Sequence, residues 1–154
     1  MSDVRIELYS GRRETLRPLF ELAEDSPAQL DAYLHEGRVL VATADGEIVG
    51  HLQLVGGVVG EIKNMAVRED RQGQGIGARL VAAAVELLTT EAAPLLRVAT
   101  AAADIGNLRF YQRQGFRMSA VERDAFTPAT GYPERVLING IELRDRVWLD
   151  IQLS

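Results

Sequence analysis

The chain has 154 residues, of which 47% are apolar and 25% are charged, and 17 Lys and Arg against 22 Asp and Glu give a net charge of −5. This length suits one globular domain over residues 1–154, and the absence of Cys excludes disulfides, thiolate nucleophiles and thiolate metal sites. The acidic balance argues against nucleic acid as a partner, and the N-terminus lacks the apolar run of a signal peptide or membrane span. We therefore expect a cytoplasmic protein without a metal or membrane contact, which accommodates a neutral or cationic small substrate more easily than a nucleic acid.

The first elements in chain order are a strand and two short helices. Apolar residues alternate with polar ones over residues 4–8, which predicts a half-buried strand. Apolar residues at helical spacing follow over residues 16–23, and Ser26-Pro27 separates that helix from a second short helix over residues 30–34. Two helices therefore stand between the first strand and the next.

Three strands come next, and the last of them has an irregular pattern. Residues 38–43 and 47–54 flank an Asp-Gly pair at 45–46, which suits the positive φ angles of a tight hairpin. In the strand over residues 58–67 the apolar positions change parity. We predict a β-bulge near residues 63–65, because one extra residue would return the apolar side chains to one face.

The second half of the chain alternates helices and strands. Apolar residues recur at helical spacing over residues 76–88. Strands are then predicted at 95–100, 116–121 and 147–153, with a helix at 104–114 and a polar segment at 127–140. Antiparallel hairpins followed by βαβ-like units predict an α/β (α+β) fold with a mixed, mostly antiparallel sheet of about seven strands flanked by four helices.

A glycine-rich loop joins the fourth predicted strand to the third helix. Gly73, Gly75 and Gly77 precede helical N–H groups that have no intrahelical partner and lie at the positive end of the helix dipole, which favours an anion. A Walker A loop is excluded because Ala78-Arg79 replaces the required lysine. The dinucleotide fingerprint matches literally, but the following strand lacks its acidic residue, so NAD binding stays the lesser alternative.

Two motifs resemble those of one enzyme family. Gln-Gly-Gln-Gly-Ile-Gly at 72–77 is similar to the Q/R-x-x-G-x-G/A signature of the GNAT family of N-acetyltransferases, and residues 110–116 resemble that family's F-Y-x-x-x-G-F segment. Residues 61–67 also resemble the family's fourth strand. The resemblance implies the acyl-CoA N-acyltransferase fold, with a bulged fourth strand splayed from the fifth and acetyl-CoA as co-substrate.

The resemblance further implies which residues hold the co-substrate. Backbone groups of Met65, Ala66 and Val67 in the fourth strand would bind its pantetheine arm. The N–H groups of six loop residues would bind its pyrophosphate: Gln72, Gly73, Gln74, Gly75, Ile76 and Gly77. Many relatives have an asparagine where this chain has Asp104, which we assign to helix capping because Asp is a preferred N-cap, leaving Asn107 as the cofactor candidate. Arg71 and Arg79 flank the loop. Their charges would either screen those of the cofactor's phosphates or remain solvated on the surface.

Acetyl transfer to an amine needs a base, a polarised carbonyl and a proton for the leaving thiolate. Tyr111 occupies the family position of the general acid, with packing in the core as its alternative role. Glu61 is the candidate base by analogy, with a solvated strand end as the alternative and His51 in reserve. Because the chain lacks Cys, we expect direct attack by the amine in a ternary complex, with the backbone near Met65 polarising the carbonyl.

We predict an acetyl-CoA-dependent N-acetyltransferase that acts on the primary amine of a small molecule. A protein N-terminus or lysine is the alternative acceptor, and a non-catalytic acyl-CoA-binding module is the alternative function. The first two helices and residues 127–140 would form the acceptor wall, where Tyr132, Glu134 and nearby Asp145 would bind a cationic amine. The alternating final strand could pair across a homodimer or within one subunit.

Overall fold

One seven-stranded sheet dominates the computed structural model, which describes residues 3–153. Its helices and strands are β1 Val4–Leu8, α1 Arg17–Glu21, α2 Pro27–Tyr33, β2 Arg38–Ala44, β3 Glu47–Val55, β4 Gly60–Val67, α3 Ile76–Thr90, β5 Leu95–Ala101, α4 Ile105–Arg113, β6 Arg117–Glu122, β7 Leu137–Ile138, β8 Ile141–Glu142 and β9 Arg146–Gln152. Within residues 3–153 the strand order is β1-β2-β3-β4-β5-β9-β6, and all neighbours are antiparallel except β4 and β5. The predicted fold class is therefore confirmed.

The irregularity in β4 is a β-bulge, as predicted. Gln53 lies opposite Asn64 and Leu54 opposite Ile62, so Lys63 is the extra residue of β4. Parallel pairing of β4 with β5 covers residues 60–62, after which the two strands separate. The bulge and the short pairing open a gap in the middle of the sheet, which confirms the splay that the family resemblance implied.

Helices cover both faces of the sheet because its strands are apolar on both sides. Leu40 and Ala42 of β2 belong to the large core with α3 and α4, whereas Val39 and Val41 pack against α1 and α2. The β4 residues divide in the same way. Ile62 lies in the α3 and α4 layer, and its neighbour Glu61 lies on the face of α1 and α2.

The two-stranded pair β7–β8 is a difference from the sequence prediction, which left residues 127–140 without strands. Strands of two residues are too short for an alternating pattern to be recognised. The turn itself carries a signal that the prediction did not use, because Asn139 and Gly140 have φ angles of 49° and 85°. Asn-Gly is the dipeptide favoured in such hairpins, like the Asp-Gly pair that correctly predicted the β2–β3 turn.

The final strand pairs within the chain along both of its edges. β9 lies between β5 and β6, and it is antiparallel to both. Of the two pairings that its alternation allowed, the structure therefore contains the one within the subunit. The edge strand on this side of the sheet is instead β6, whose six residues are all exposed.

Candidate active site

The loop before α3 has the backbone geometry of an anion-binding site. Gly73 and Gly75 have φ angles of 78° and 79°, and Gly75 is the N-cap of the fifteen-residue α3. A Cβ atom at either position would meet no atom of residues 3–153 within 4 Å, so space is open beside both. Gln72 ties the loop to the end of β4, since its Nε2 donates to the backbone oxygen of Val67 at 3.0 Å. The free N–H groups at the start of α3 therefore border an open space at the end of β4.

The third glycine of the loop has a different structural reason. A Cβ atom at Gly77 would lie 3.3 Å from ring atoms of Phe110, so glycine lets the start of α3 approach α4 closely. Of the two flanking arginines, Arg71 binds Oδ2 of Asp45 at 3.0 Å, and Arg79 is exposed. The proposed contact of Gly77 with the pyrophosphate stays a prediction.

The gap between β4 and β5 brings the other predicted cofactor residues to the same region. Met65, Ala66 and Val67 are half-buried and pair with β3 along one edge, while the other edge faces the gap. Asn107 lies across the gap, where its Nδ2 donates to Oγ1 of Thr100 at 3.3 Å.

Asp104 caps α4, as the sequence analysis predicted. Its Oδ1 accepts a hydrogen bond from the backbone N–H of Asn107 at 3.0 Å. A carboxylate in this position accepts from a free N–H group at the helix start, so the contact supports the capping role of Asp104. The side chain of Asn107 remains directed at Thr100 rather than at the cap.

Tyr111 is a core residue whose hydroxyl group has no internal partner. Its ring packs edge-on against Phe110 and Phe116, with centroid distances of 5.1 and 5.6 Å, and only 5% of the residue is exposed. No group within residues 3–153 forms a hydrogen bond with its Oη. Burial, assisted by the charge of Asp104, raises the pKa of Tyr111 well above the ordinary value of a phenol. The side chain is therefore a neutral phenol at physiological pH, and its proton is not donated to another residue of the described chain.

Glu61 lies on the opposite face of the sheet from Tyr111. Its side chain is 13% exposed, and its Oε1 accepts a hydrogen bond from Nη2 of Arg97 at 3.1 Å. The guanidinium of Arg97 in turn lies 4.7 Å from the ring centroid of Trp148. The two predicted catalytic residues thus lie in different layers, with Glu61 on the side of α1 and α2 and within the part of β4 that pairs with β5.

The two histidines have different environments. His51 is 0% exposed and its ring stacks on Phe20 with a centroid distance of 4.2 Å. Burial lowers the pKa of His51 to about 4, so a base role would require an imidazole without access to solvent. His35 is exposed, and its Nε2 lies 3.2 Å from a carboxylate oxygen of Glu14.

Of the three residues predicted to bind the acceptor, Tyr132 has a notable partner. Its hydroxyl donates to Oε2 of Glu24 at 2.9 Å. Glu134 is exposed, and Asp145 accepts a hydrogen bond from the backbone of Asp124 at 2.9 Å, so it shapes the loop. Sequence reasoning missed Glu24, because an acidic residue before Ser26-Pro27 resembles the polar end of any helix.

Among residues 3–153, no group of three His, Asp or Glu side chains converges as a metal ion would require. None of the helices in that range has the length and apolarity needed to cross a membrane.

Known proteins resemble this chain over nearly its whole length. Residues 7–116 match the family model described as the acetyltransferase (GNAT) family. The chain is 35% identical over 155 residues to the uncharacterised N-acetyltransferase YvbK of Bacillus subtilis (strain 168), covering 99% of each. Two solved structures superpose with TM-scores of 0.89: a Bacillus subtilis acetyltransferase in complex with CoA, at 34% identity over 99% of this chain and 100% of that one, and a GNAT family acetyltransferase from Elizabethkingia anophelis with acetyl-CoA bound, at 31% identity over 97% and 98%.

Proposed function

This chain belongs to the GNAT family of N-acetyltransferases, and from that premise we propose that it transfers the acetyl group of acetyl-CoA to the primary amine of a small molecule by direct attack in a ternary complex. The observation that carries the proposal is the gap between β4 and β5, which opens beside a glycine-rich helix N-terminus. CoA and acetyl-CoA in the two similar structures support the same donor here.

The residues that line the gap fit such a donor. The N–H groups of residues 72–77 would hold the pyrophosphate, and the free edge of β4 at residues 65–67 would hold the pantetheine arm by backbone hydrogen bonds. Asn107 would contact that arm from the β5 side. Open space beside Gly73 and Gly75 supports this assignment, because a phosphate must approach the backbone closely.

Three groups would perform the chemistry. Glu61 takes a proton from the acceptor ammonium, directly or through water, and the free amine attacks the thioester carbonyl carbon. The backbone near Met65 stabilises the oxyanion, and the C–S bond then breaks. Tyr111 gives its proton to the departing thiolate, a role for which general acid catalysis is worth roughly 10²- to 10⁴-fold in rate. The nitrogen of the new amide loses its second proton to solvent, and solvent returns a proton to the Tyr111 phenolate.

A small acceptor is favoured over a protein because the segment that follows β6 is bonded to α2 and to the loop before α2, where the acceptor would bind. Gln29 Nε2 donates to the backbone oxygen of Thr130 at 2.8 Å, and Tyr132 donates to Glu24 at 2.9 Å. These contacts join the segment after β6 to α2 and the loop before it. A protein N-terminus or lysine would need an open cleft at this position, which supports the small molecule as acceptor.

Thiol release from acetyl-CoA in the presence of an amine library tests this function. We expect amine-dependent release, and we expect Tyr111→Phe to lower kcat by roughly 100-fold, at the low end of general acid catalysis, with unchanged CoA affinity by calorimetry. Tyr9→Phe is the matched control, since that hydroxyl binds the backbone of Arg12 away from the gap.

Each alternative predicts a different result in the same assay. Release with peptides but with no small amine would favour the protein acceptor. CoA binding without release under any condition would favour the non-catalytic module. Full activity of Tyr111→Phe would refute the acid role.

A further inference from the structure

A chain of hydrogen bonds runs from the core beside β4 to Glu24. Asn64 Nδ2 donates to the backbone oxygen of Phe20 at 3.1 Å and to the hydroxyl of Tyr33 at 3.0 Å. Since Nδ2 must face the carbonyl of Phe20, Oδ1 of Asn64 faces Nε2 of His51, at 2.8 Å, and His51 is the donor. The orientation of the amide is therefore determined by its neighbours.

The direction of the remaining bonds follows from this orientation. The Tyr33 hydroxyl accepts from Asn64, so its own proton is donated to Oε1 of Glu24, at 3.0 Å. Oε2 of Glu24 accepts from Tyr132 at 2.9 Å and from the backbone of Ser26 at 3.2 Å. Three donors of the described chain therefore converge on the half-buried carboxylate of Glu24: the hydroxyls of Tyr33 and Tyr132 and the backbone N–H of Ser26. A carboxylate has about four lone-pair sites, so one site of Oε1 has no donor among the described residues.

Glu24 lies where the two sides of the gap meet. Tyr33 and Asn64 belong to the β4 side, and Tyr132 belongs to the segment that follows β6 on the other side. Asn64 directly precedes Met65, so the carboxylate is two hydrogen bonds away from the β4 backbone that faces the gap. Glu24 is thus near the proposed reaction centre without lining it directly.

Aromatic faces in this region already accommodate cations. The ammonium of Lys63 lies 4.9 Å from the ring centroid of Tyr33. The guanidinium of Arg146 lies 5.0 Å from that of Phe126, which packs edge-on against Tyr132 at 5.1 Å. These ring faces are already occupied by Lys63 and Arg146, so the proposed attraction for a second cation rests on the Glu24 carboxylate.

We propose that Glu24 binds a second, non-reacting positive charge on the acceptor, so that the preferred substrates are small diamines. The inference rests on the proposed function, because the anchor selects among small amines that reach the gap. Hydrogen bonds from Tyr33 and Tyr132 hold the carboxylate in place. The distant ammonium binds the remaining lone pair of Glu24, and the other amine extends toward the thioester, where Glu61 receives its proton.

Glu24→Gln tests the anchor with an unbranched alkyl diamine and the alkyl monoamine of equal length. For the wild type we expect kcat/KM to be at least tenfold higher for the diamine. Glu24→Gln should erase this preference by raising KM for the diamine about tenfold, with kcat and the monoamine parameters unchanged. Glu21→Gln is the matched control, because it removes the same charge from an exposed side chain that pairs with Arg17.

A second variant and a binding measurement complete the test. Glu24→Asp keeps the charge and should retain part of the diamine preference, which a purely structural role of the side chain would not predict. Calorimetry of the diamine with the CoA-bound protein measures the anchor without turnover, and we expect about tenfold weaker binding to Glu24→Gln.

Failure of the anchor differs from failure of the proposed function. Equal wild-type kcat/KM for diamine and monoamine, or an equal loss of kcat with both in Glu24→Gln, would overturn the anchor and leave amine acetylation intact. Diamine binding that depends on Glu24 without thiol release would support the anchor and refute small-amine acetylation.

Discussion

At the scale of single residues, His51 shows how burial converts a titratable group into a structural one. Its ring stacks on Phe20, its Nε2 donates to Asn64, and in the described part of the chain its Nδ1 has no partner. Burial lowers the pKa of His51 to about 4, and the weaker effect of Asn64 acts in the opposite direction. The imidazole is therefore neutral at physiological pH and orients Asn64.

The buried histidine predicts acid sensitivity. Because the folded pKa of about 4 lies below the unfolded value of about 6.5, the unfolded chain binds more protons between these values, and stability falls as the pH drops through this window. We expect the free energy of unfolding in urea to fall between pH 7 and pH 5 by about 2 kcal/mol more in the wild type than in His51→Gln. His35→Gln, at an exposed imidazole, should retain the wild-type dependence, and equal pH dependence of His51→Gln and the wild type would contradict the prediction.

At the scale of elements, the start of α3 combines two kinds of glycine. Gly73 and Gly75 adopt positive φ beside open space, whereas Gly77 makes room for the ring of Phe110. The spacing of glycines alone cannot separate these roles, because one depends on the backbone of the loop and the other on the neighbouring helix. Of these two roles, only the backbone conformation of Gly73 and Gly75 would affect the binding of a cofactor.

Two glycine substitutions separate backbone strain from cofactor binding. Gly75→Ala and Gly46→Ala both place Cβ at a φ near 79° with no atom of residues 3–153 within 4 Å, so each should lower the free energy of unfolding by about 1 kcal/mol. We expect CoA affinity, measured by calorimetry, to fall at least tenfold in Gly75→Ala alone, because only that residue begins α3. Unchanged CoA affinity of Gly75→Ala would remove the loop from the binding site.

At the scale of the whole molecule, the sheet consists of two halves joined by a short parallel contact. β4 and β5 pair over residues 60–62, and the core shared by α3 and α4 connects the halves below the gap. On the other face, the bond between Tyr132 and Glu24 joins them. A ligand in the gap would therefore contact both halves, and its binding should be visible along the free edge of β4.

Hydrogen exchange measures this effect directly. On adding CoA, we expect slower exchange at short times for the amides of residues 65–67 and 72–78, because the ligand would bind or shield them. Amides in the middle of the β2–β3 hairpin are the internal control and should change little. Protection confined to another surface would show that CoA binds elsewhere.

Several features of this protein were determined by short stretches of its sequence. The Asp-Gly turn, the glycine-rich loop, the parity change in β4 and the Asp104 cap each depend on the backbone preferences of a few consecutive residues, so they could be predicted without knowing the rest. The family motifs also allowed the fold and the acetyl-CoA donor to be predicted. Only the tertiary structure decided the surroundings of Glu24, which is 108 residues from Tyr132, because a hydrogen bond between distant residues depends on how the helices and the loop pack across the gap.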